Sequence, residues 1–276
     1  MKKILLIAIA LVLAASSLFT SCNSCKNRGG DQDQKTIPLD EPDRITSEIE
    51  KAVYPLPTSA DVIKMLTELE VGYIIGVSNP VDNATNYITS KSQALNLGIY
   101  GADLSYATLY NMNQDVINFL DVIRELANNL KMSRIYSRAL YDDIKNSYDN
   151  RDRLVEILTD AFNETYAYLT ENDQQSLALL VVAGAWIEGM YITTHISESV
   201  YHVEGIVRVL LEQKASFETF LDIAQPHDDD PVVREILDIL DPVREVYETV
   251  EDNSLTLRNV EDITRVISSV REKLVS

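Results

Sequence analysis

Cysteine is nearly absent from this 276-residue chain, and its two copies, Cys22 and Cys25, both lie close to the start. Everything after residue 25 must therefore fold without a disulfide and has no thiol nucleophile. Histidine is almost as scarce, with three copies, which leaves few options for a general base. Basic residues are in the minority, 24 against 43 acidic, for a net charge of −19. Phosphate backbones are gripped by clustered Lys and Arg, so nucleic acid is excluded as an expected partner. No phosphate-cradling glycine loop, no Gly-x-Ser-x-Gly elbow, no His-Glu-x-x-His and no Glu-x-x-His occurs. No cofactor is implied by any motif. Nine glycines and eight prolines are few for this length, and they fall mostly between periodic stretches, so little interrupts helix formation.

The most informative feature is the amino end. Lys2 and Lys3 precede an apolar stretch from Ile4 to Ala15, followed by Leu18-Phe19-Thr20-Ser21-Cys22. A charged start, an apolar middle and small residues at the cut make a secretion signal. The apolar run, about a dozen residues, is too short to cross a hydrocarbon core of ~30 Å as a permanent helix. With Cys22 directly after Ser21, the pattern resembles a bacterial lipoprotein signal. It departs from that family in having Phe19, not Leu, three residues before the cysteine. The resemblance covers residues 1–22 only. It implies that Cys22 carries a diacylglyceryl group, that residues 1–21 are removed, and that the membrane is a partner through the lipid on Cys22. Asn23 stands where that family often has the Asp that retains a protein in the inner membrane, which implies the outer membrane. Cleavage also removes Lys2 and Lys3, taking the net charge from −19 to −21. That charge disfavours lying flat on anionic lipid.

Residues 22–42 are polar and broken, a lipidated flexible tether, and residues 43–276 form one all-α domain. Helical spacing is found in nearly every segment of that domain. The expected architecture is an irregular bundle of about nine or ten antiparallel helices. Thr58 or Ser59 is expected to cap one helix, and Tyr73–Val77 to be a packed loop. Asn83–Leu97 and Tyr100–Tyr110 read as two helices, or one kinked at Gly98 and Gly101. Asn113 and Asn150 are expected caps. Gln174–His195 is apolar nearly all round, which puts it at the centre. Leu177–Trp186 approaches the length of a membrane span, but Glu188 interrupts it. Asp230-Pro231 recurs as Asp241-Pro242, and each pair reads as a cap with proline at the first helical position. Leu257, Val260, Ile263, Val266, Ile267 and Val270 set the buried face of the last helix. Tyr106, Ala107, Tyr110, Val116, Phe119, Ile123 and Leu126 have the spacing of one tetratricopeptide-type hairpin. A short α-solenoid of helical hairpins is therefore the alternative fold, although the pattern does not recur one period later.

Three groups of residues invite a functional reading. Gly98–Tyr106 and Gly184–Tyr191 each place one carboxylate among glycines and aromatics, which reads either as a tight helix crossing with each acid bonded to a Tyr, an Arg or a helix end, or as room for a ligand. They make Tyr100, Asp103, Tyr106, Trp186, Glu188 and Tyr191 candidate contacts for a small polar ligand. A buried Asp103 or Glu188 needs a partner, or its pKa rises. Glu188, His195, Glu198 and His202 fall on one stripe if their helix continues, and His195, Glu198 and His202 have donor types that suit a metal ion. His227-Asp228-Asp229-Asp230 lacks the alternating spacing of a calcium loop and reads as helix capping. The expected function is a lipid-anchored, non-enzymatic binding or interaction module of the cell envelope, serving an envelope protein or a small polar ligand. The alternative is a metal-dependent or carboxylate-based hydrolase using the Asp103/Glu188 region.

Overall fold

A computed structural model of the chain describes residues 72–197, 204–250 and 254–276. The Cys22 anchor, the tether and the helix expected after Thr58 or Ser59 lie outside the described residues. Among the described residues there are eight α-helices, two short 3-10 helices and no strand. The fold is an all-α multi-helix bundle.

Tyr73–Val77 is a loop, as its sequence predicts. After it the chain departs from expectation. Pro80 leads into a 3-10 helix, Val81–Asn86, and the first long helix begins only at α1 (Ser90–Leu109). Its start is fixed by a reciprocal cap. Ser92 N–H donates to Thr89 Oγ1 (3.0 Å), and Thr89 N–H donates to Ser92 Oγ (3.1 Å). Helix α1 runs through Gly98 and Gly101 as one element. The helix α2 (Asn113–Asn129) follows a tight link and is preceded by Met112. Asn113 is thus its first residue and not a cap. The link closes α1 in a Schellman motif, with Asn111 at φ +55°. Asn111 N–H donates to Thr108 O, and Met112 N–H to Ala107 O. The same arrangement ends α2, with Lys131 at φ +65°.

Helix α3 (Arg138–Asn146) is short and follows a turn at residues 133–136. Helix α4 (Arg151–Glu171) is capped by Asn150, whose Oδ1 accepts from Arg153 N–H at 3.1 Å. It ends in a third Schellman motif at Asp173, φ +56°. Helix α5 (Gln175–Ser197) is buried without a break from Ala178 to Met190. It packs against α1, α4 and three later helices, α6 (Glu204–Ala224), α7 (Pro231–Glu248) and α8 (Leu257–Val275). The stretch Gln175–Ile196 is, contrary to expectation, long and apolar enough to cross a bilayer. However, 89% of its most apolar window is buried inside the protein, so it is a core helix.

Asp230 caps α7 through a bond from Val232 N–H (2.7 Å) and accepts from the Ser176 hydroxyl, which ties the start of α7 to the start of α5. The second Asp-Pro pair behaves differently. Pro242 sits inside α7, and Asp241 bonds Arg244 on the surface. Proline in a helix interior costs ~3 kcal/mol. The buried row Val233, Ile236, Leu240, Val243 and Tyr247 crosses that point in register. Each fully buried apolar side chain contributes ~1.5–3 kcal/mol, so the row outweighs the break. In α8, Val260, Ile263, Ile267 and Val270 are buried as expected, but Leu257, at the first position, is 45% exposed. The α1–α2 hairpin exists, and Tyr106, Ala107, Val116, Phe119, Ile123 and Leu126 are buried in it while Tyr110 is half-buried. It is one antiparallel pair within the bundle and not a unit of a repeating stack.

Candidate functional site

The two glycine-containing segments meet at a helix crossing. A Cβ at Gly98 would lie 2.0 Å from Val181 O, and a Cβ at Gly184 would lie 2.0 Å from Leu95 O. Only glycine on both sides lets the α1 and α5 backbones approach this closely. Each glycine costs ~1 kcal/mol of helix propensity relative to Ala. At this crossing Tyr100 and Trp186 are also fully enclosed, with Tyr100 Oη donating to Pro80 O (2.8 Å) and Trp186 stacked on Phe217.

Beside the crossing lie both carboxylates, each 0% exposed. Arg271, from α8, closes on Glu188 with two parallel bonds. Nε donates to Oε2 and Nη2 to Oε1, both at 2.8 Å. Nη2 also reaches Val77 O at 3.4 Å, and the guanidinium lies 4.2 Å from the centre of the Tyr191 ring. Asp103 Oδ2 accepts from Asn79 N–H at 3.1 Å. Its Oδ1 is buried and receives no donor among the described residues. Burial raises the Asp103 pKa well above the usual carboxylate range, and the Glu188 charge raises it further; Arg271, Asn79 and Ser78 only partly offset this. Burial raises Glu188 too, but the Arg271 bonds and charge pull it back. Burial opposes the Arg271 charge and is outweighed by Glu188, so its pKa is raised. Of the two carboxyls, Asp103 is therefore the one driven further toward its protonated form, since it lacks the Arg271 bonds that hold Glu188.

Around this cluster the 72–80 loop is pinned by polar bonds. Ile74 N–H donates to Tyr106 Oη (2.9 Å), and Tyr73 donates to Asp115 Oδ2 (3.0 Å) while stacking on Tyr106 at 5.0 Å. Burial raises the pKa of Tyr73, Tyr106 and Tyr110, the last to about 12. Asn79 Nδ2 donates to Tyr87 Oη (3.0 Å). Tyr87 Oη and Asn96 Nδ2 in turn donate to the carbonyls of Val275 and Leu274, which satisfies the end of α8. The cluster thus joins the loop, α1, α5 and α8. A substrate would reach Glu188 only after Arg271 or the loop had moved.

Of the metal candidates, Glu198 and His202 lie outside the described residues. His195 Nδ1 is 2.7 Å from Tyr191 O, and its ring packs on Tyr191. Among the described residues no group of three His, Cys, Asp or Glu side chains is placed to hold a metal ion. Asp230 of the acidic cluster is a helix cap.

Sequence reasoning missed Arg271 and Asn79. Arg271 follows Ile267 by four residues and Val270 by one, so a cation at the edge of an apolar stripe was its signal. It also missed a cavity of about 50 Å³, open to one side, bounded by α1–α5 and by Tyr136 of the link between α2 and α3. Leu97, Gly101 and Leu104 line it from α1, Ile144 from α3, Phe162 from α4 and Val181 from α5. Tyr100, Asp103 and Tyr106 belong to another strip of α1.

The raised carboxylates fix the sign of a pH effect. Unfolded Asp and Glu ionise near pH 4. With both folded values raised, the native state holds protons that the unfolded chain has lost. Their contribution is complete below about pH 4 and is lost as pH rises through the folded values. The urea midpoint should therefore fall from pH 5 to pH 8, and Asp103→Asn should flatten that slope while costing about 1 kcal/mol or less at pH 7. An unchanged slope in Asp103→Asn would show that Asp103 is not the proton carrier.

No family model, no curated protein and no solved structure matches this chain.

Proposed function

We propose that the protein is a lipid-anchored, non-enzymatic binding module of the bacterial cell envelope. Cys22 carries the lipid, residues 22–42 are the tether, and the helical body holds a small ligand or an envelope partner at the outer membrane. The observation that carries the binding reading is the cavity between α1 and α5. Its lining is almost wholly apolar, and among the described residues it includes no carboxylate, imidazole, thiol or cation. Such a lining can hold a molecule but has little with which to move a proton or attack a bond. The hydrolase alternative has less support, because both Glu188 oxygens are already held by Arg271.

Two acyl chains give stable membrane attachment and one gives only marginal attachment. Cys22→Ala is therefore expected to move the protein from the membrane pellet to the soluble fraction or to leave it as an uncleaved precursor. Wild-type protein should instead partition into detergent and carry acyl mass on its first residue. A processed wild-type amino end without acyl mass would remove the anchor from this reading.

A further inference from the structure

We propose that the cavity between α1 and α5 is a binding site for a neutral, largely hydrocarbon molecule carrying at most a hydroxyl or carbonyl group. The inference rests on the reading of the body as a binding module and gives that module a ligand class different from the polar one its sequence suggests. Two independent observations carry it.

The first is chemical. Leu97, Leu120, Ile144, Leu158, Phe162 and Val181 make the lining almost wholly apolar, and among the described residues no ionisable carboxyl or basic group faces it. An anionic ligand would lose its hydration without gaining a cation. It would also approach a chain of net charge −19. The polar features are two hydroxyls, Ser105 and Tyr136. Ser105 Oγ donates to Gly101 O (3.0 Å), and Tyr136 Oη shares a proton with Thr165 Oγ1 (2.8 Å). A wall with hydroxyls but no charge admits at most one small neutral polar group on the ligand.

The second is Gly101. Gly98 and Gly184 are required by the facing backbone, but a Cβ at Gly101 meets nothing within 4 Å among the described residues. Neither the packing of those residues nor backbone conformation calls for glycine there, and helix propensity disfavours it. Gly101 lines the cavity, and any larger side chain would project into it. A position that forgoes available stability to keep space open is what a ligand site requires.

The test uses the full chain in its own membrane and two photoreactive probes of equal length, a diazirine-bearing decan-1-ol and a diazirine-bearing decanoate at pH 8. The expected result is adduct on peptides spanning 97–105 and 158–162 with the alcohol. Unlabelled decan-1-ol should compete it away, and the decanoate should label these peptides at least tenfold less. Gly101→Leu should cut this labelling at least tenfold with no fall in melting temperature, and Gly101→Ala should melt no lower than wild type. Equal labelling by both probes, or adducts only on residues 22–42, overturns the assignment. The probe comparison needs no variant, so it stands even if Gly101→Leu does not fold. Acyl mass and membrane attachment at Cys22 are read separately on the same sample, so loss of the cavity assignment and loss of the anchored-module reading give different results.

Discussion

Arg271→Ala should destabilise the body by about 3–5 kcal/mol at pH 8, the usual loss when one partner of a buried ion pair is removed. Glu188 would keep its burial and lose both of its 2.8 Å bonds, Val77 O would lose a donor, and Tyr191 would lose the cation on its ring. Arg271→Lys should rescue little, since an ammonium cannot reproduce a planar two-bond grip. The loss should shrink at pH 5, because protonating Glu188 removes the stranded charge. This is the same sign as the raised pKa of the wild-type carboxyls. Combining Arg271→Met with Glu188→Leu should recover much of the stability, as replacement of buried pairs by apolar groups often does. Urea unfolding at both pH values measures all three variants. A loss under 1 kcal/mol for Arg271→Ala at pH 8 would show that the pair does not hold α8 to α5.

Some of this organisation is legible in the sequence and some is not, for physical reasons. Fold class and the central place of α5 follow from periodicity, because a helix with no polar side has nowhere to go but the interior. Caps are legible where a side chain alone makes the bond, as at Asn150 and Asp230. They mislead where tertiary packing decides. The two Asp-Pro pairs are locally alike, yet α7 begins at one and runs through the other, because its buried row continues past Pro242. Helix ends were hard to read because the left-handed positions that close α1, α2 and α4 are Asn111, Lys131 and Asp173, with no glycine to mark them. In the site, the glycine pair announced a close approach. Its consequence, two buried carboxylates of which Glu188 is gripped by a cation 83 residues away in sequence, had no trace beyond the place of Arg271 at the edge of an apolar stripe. Nor could the cavity have one, since five helices and the α2–α3 link bound a space defined by what none of them fills.

The crossing itself supplies the sharpest contrast. Gly98→Ala and Gly184→Ala should each cost about 3 kcal/mol or more, at or above the upper end of overpacking losses, although alanine is the better helix former by ~1 kcal/mol. The new methyl at 98 would meet Val181 O at 2.0 Å and Ala185 N at 2.7 Å, and the one at 184 would meet Leu95 O at 2.0 Å. These are backbone atoms held by helical hydrogen bonds, so no side-chain rotation can relieve the contact. The helices must part by about an ångström or more, and dispersion contacts fall off steeply over that distance. The parting would propagate to Asp103 and Glu188, which sit one and a bit turns beyond the glycines on the same two helices. The pH slope of stability should therefore change along with its magnitude. Gly101→Ala, three residues from Gly98 on the same helix and free of neighbours among the described residues, should go the other way and gain up to ~1 kcal/mol. Thermal and urea melts of the three alanine variants decide between steric and propensity control. If Gly98→Ala were as stable as Gly101→Ala, the α1 and α5 backbones could not be packed as closely as described, and the enclosure of the Asp103, Glu188 and Arg271 cluster would lose its cause.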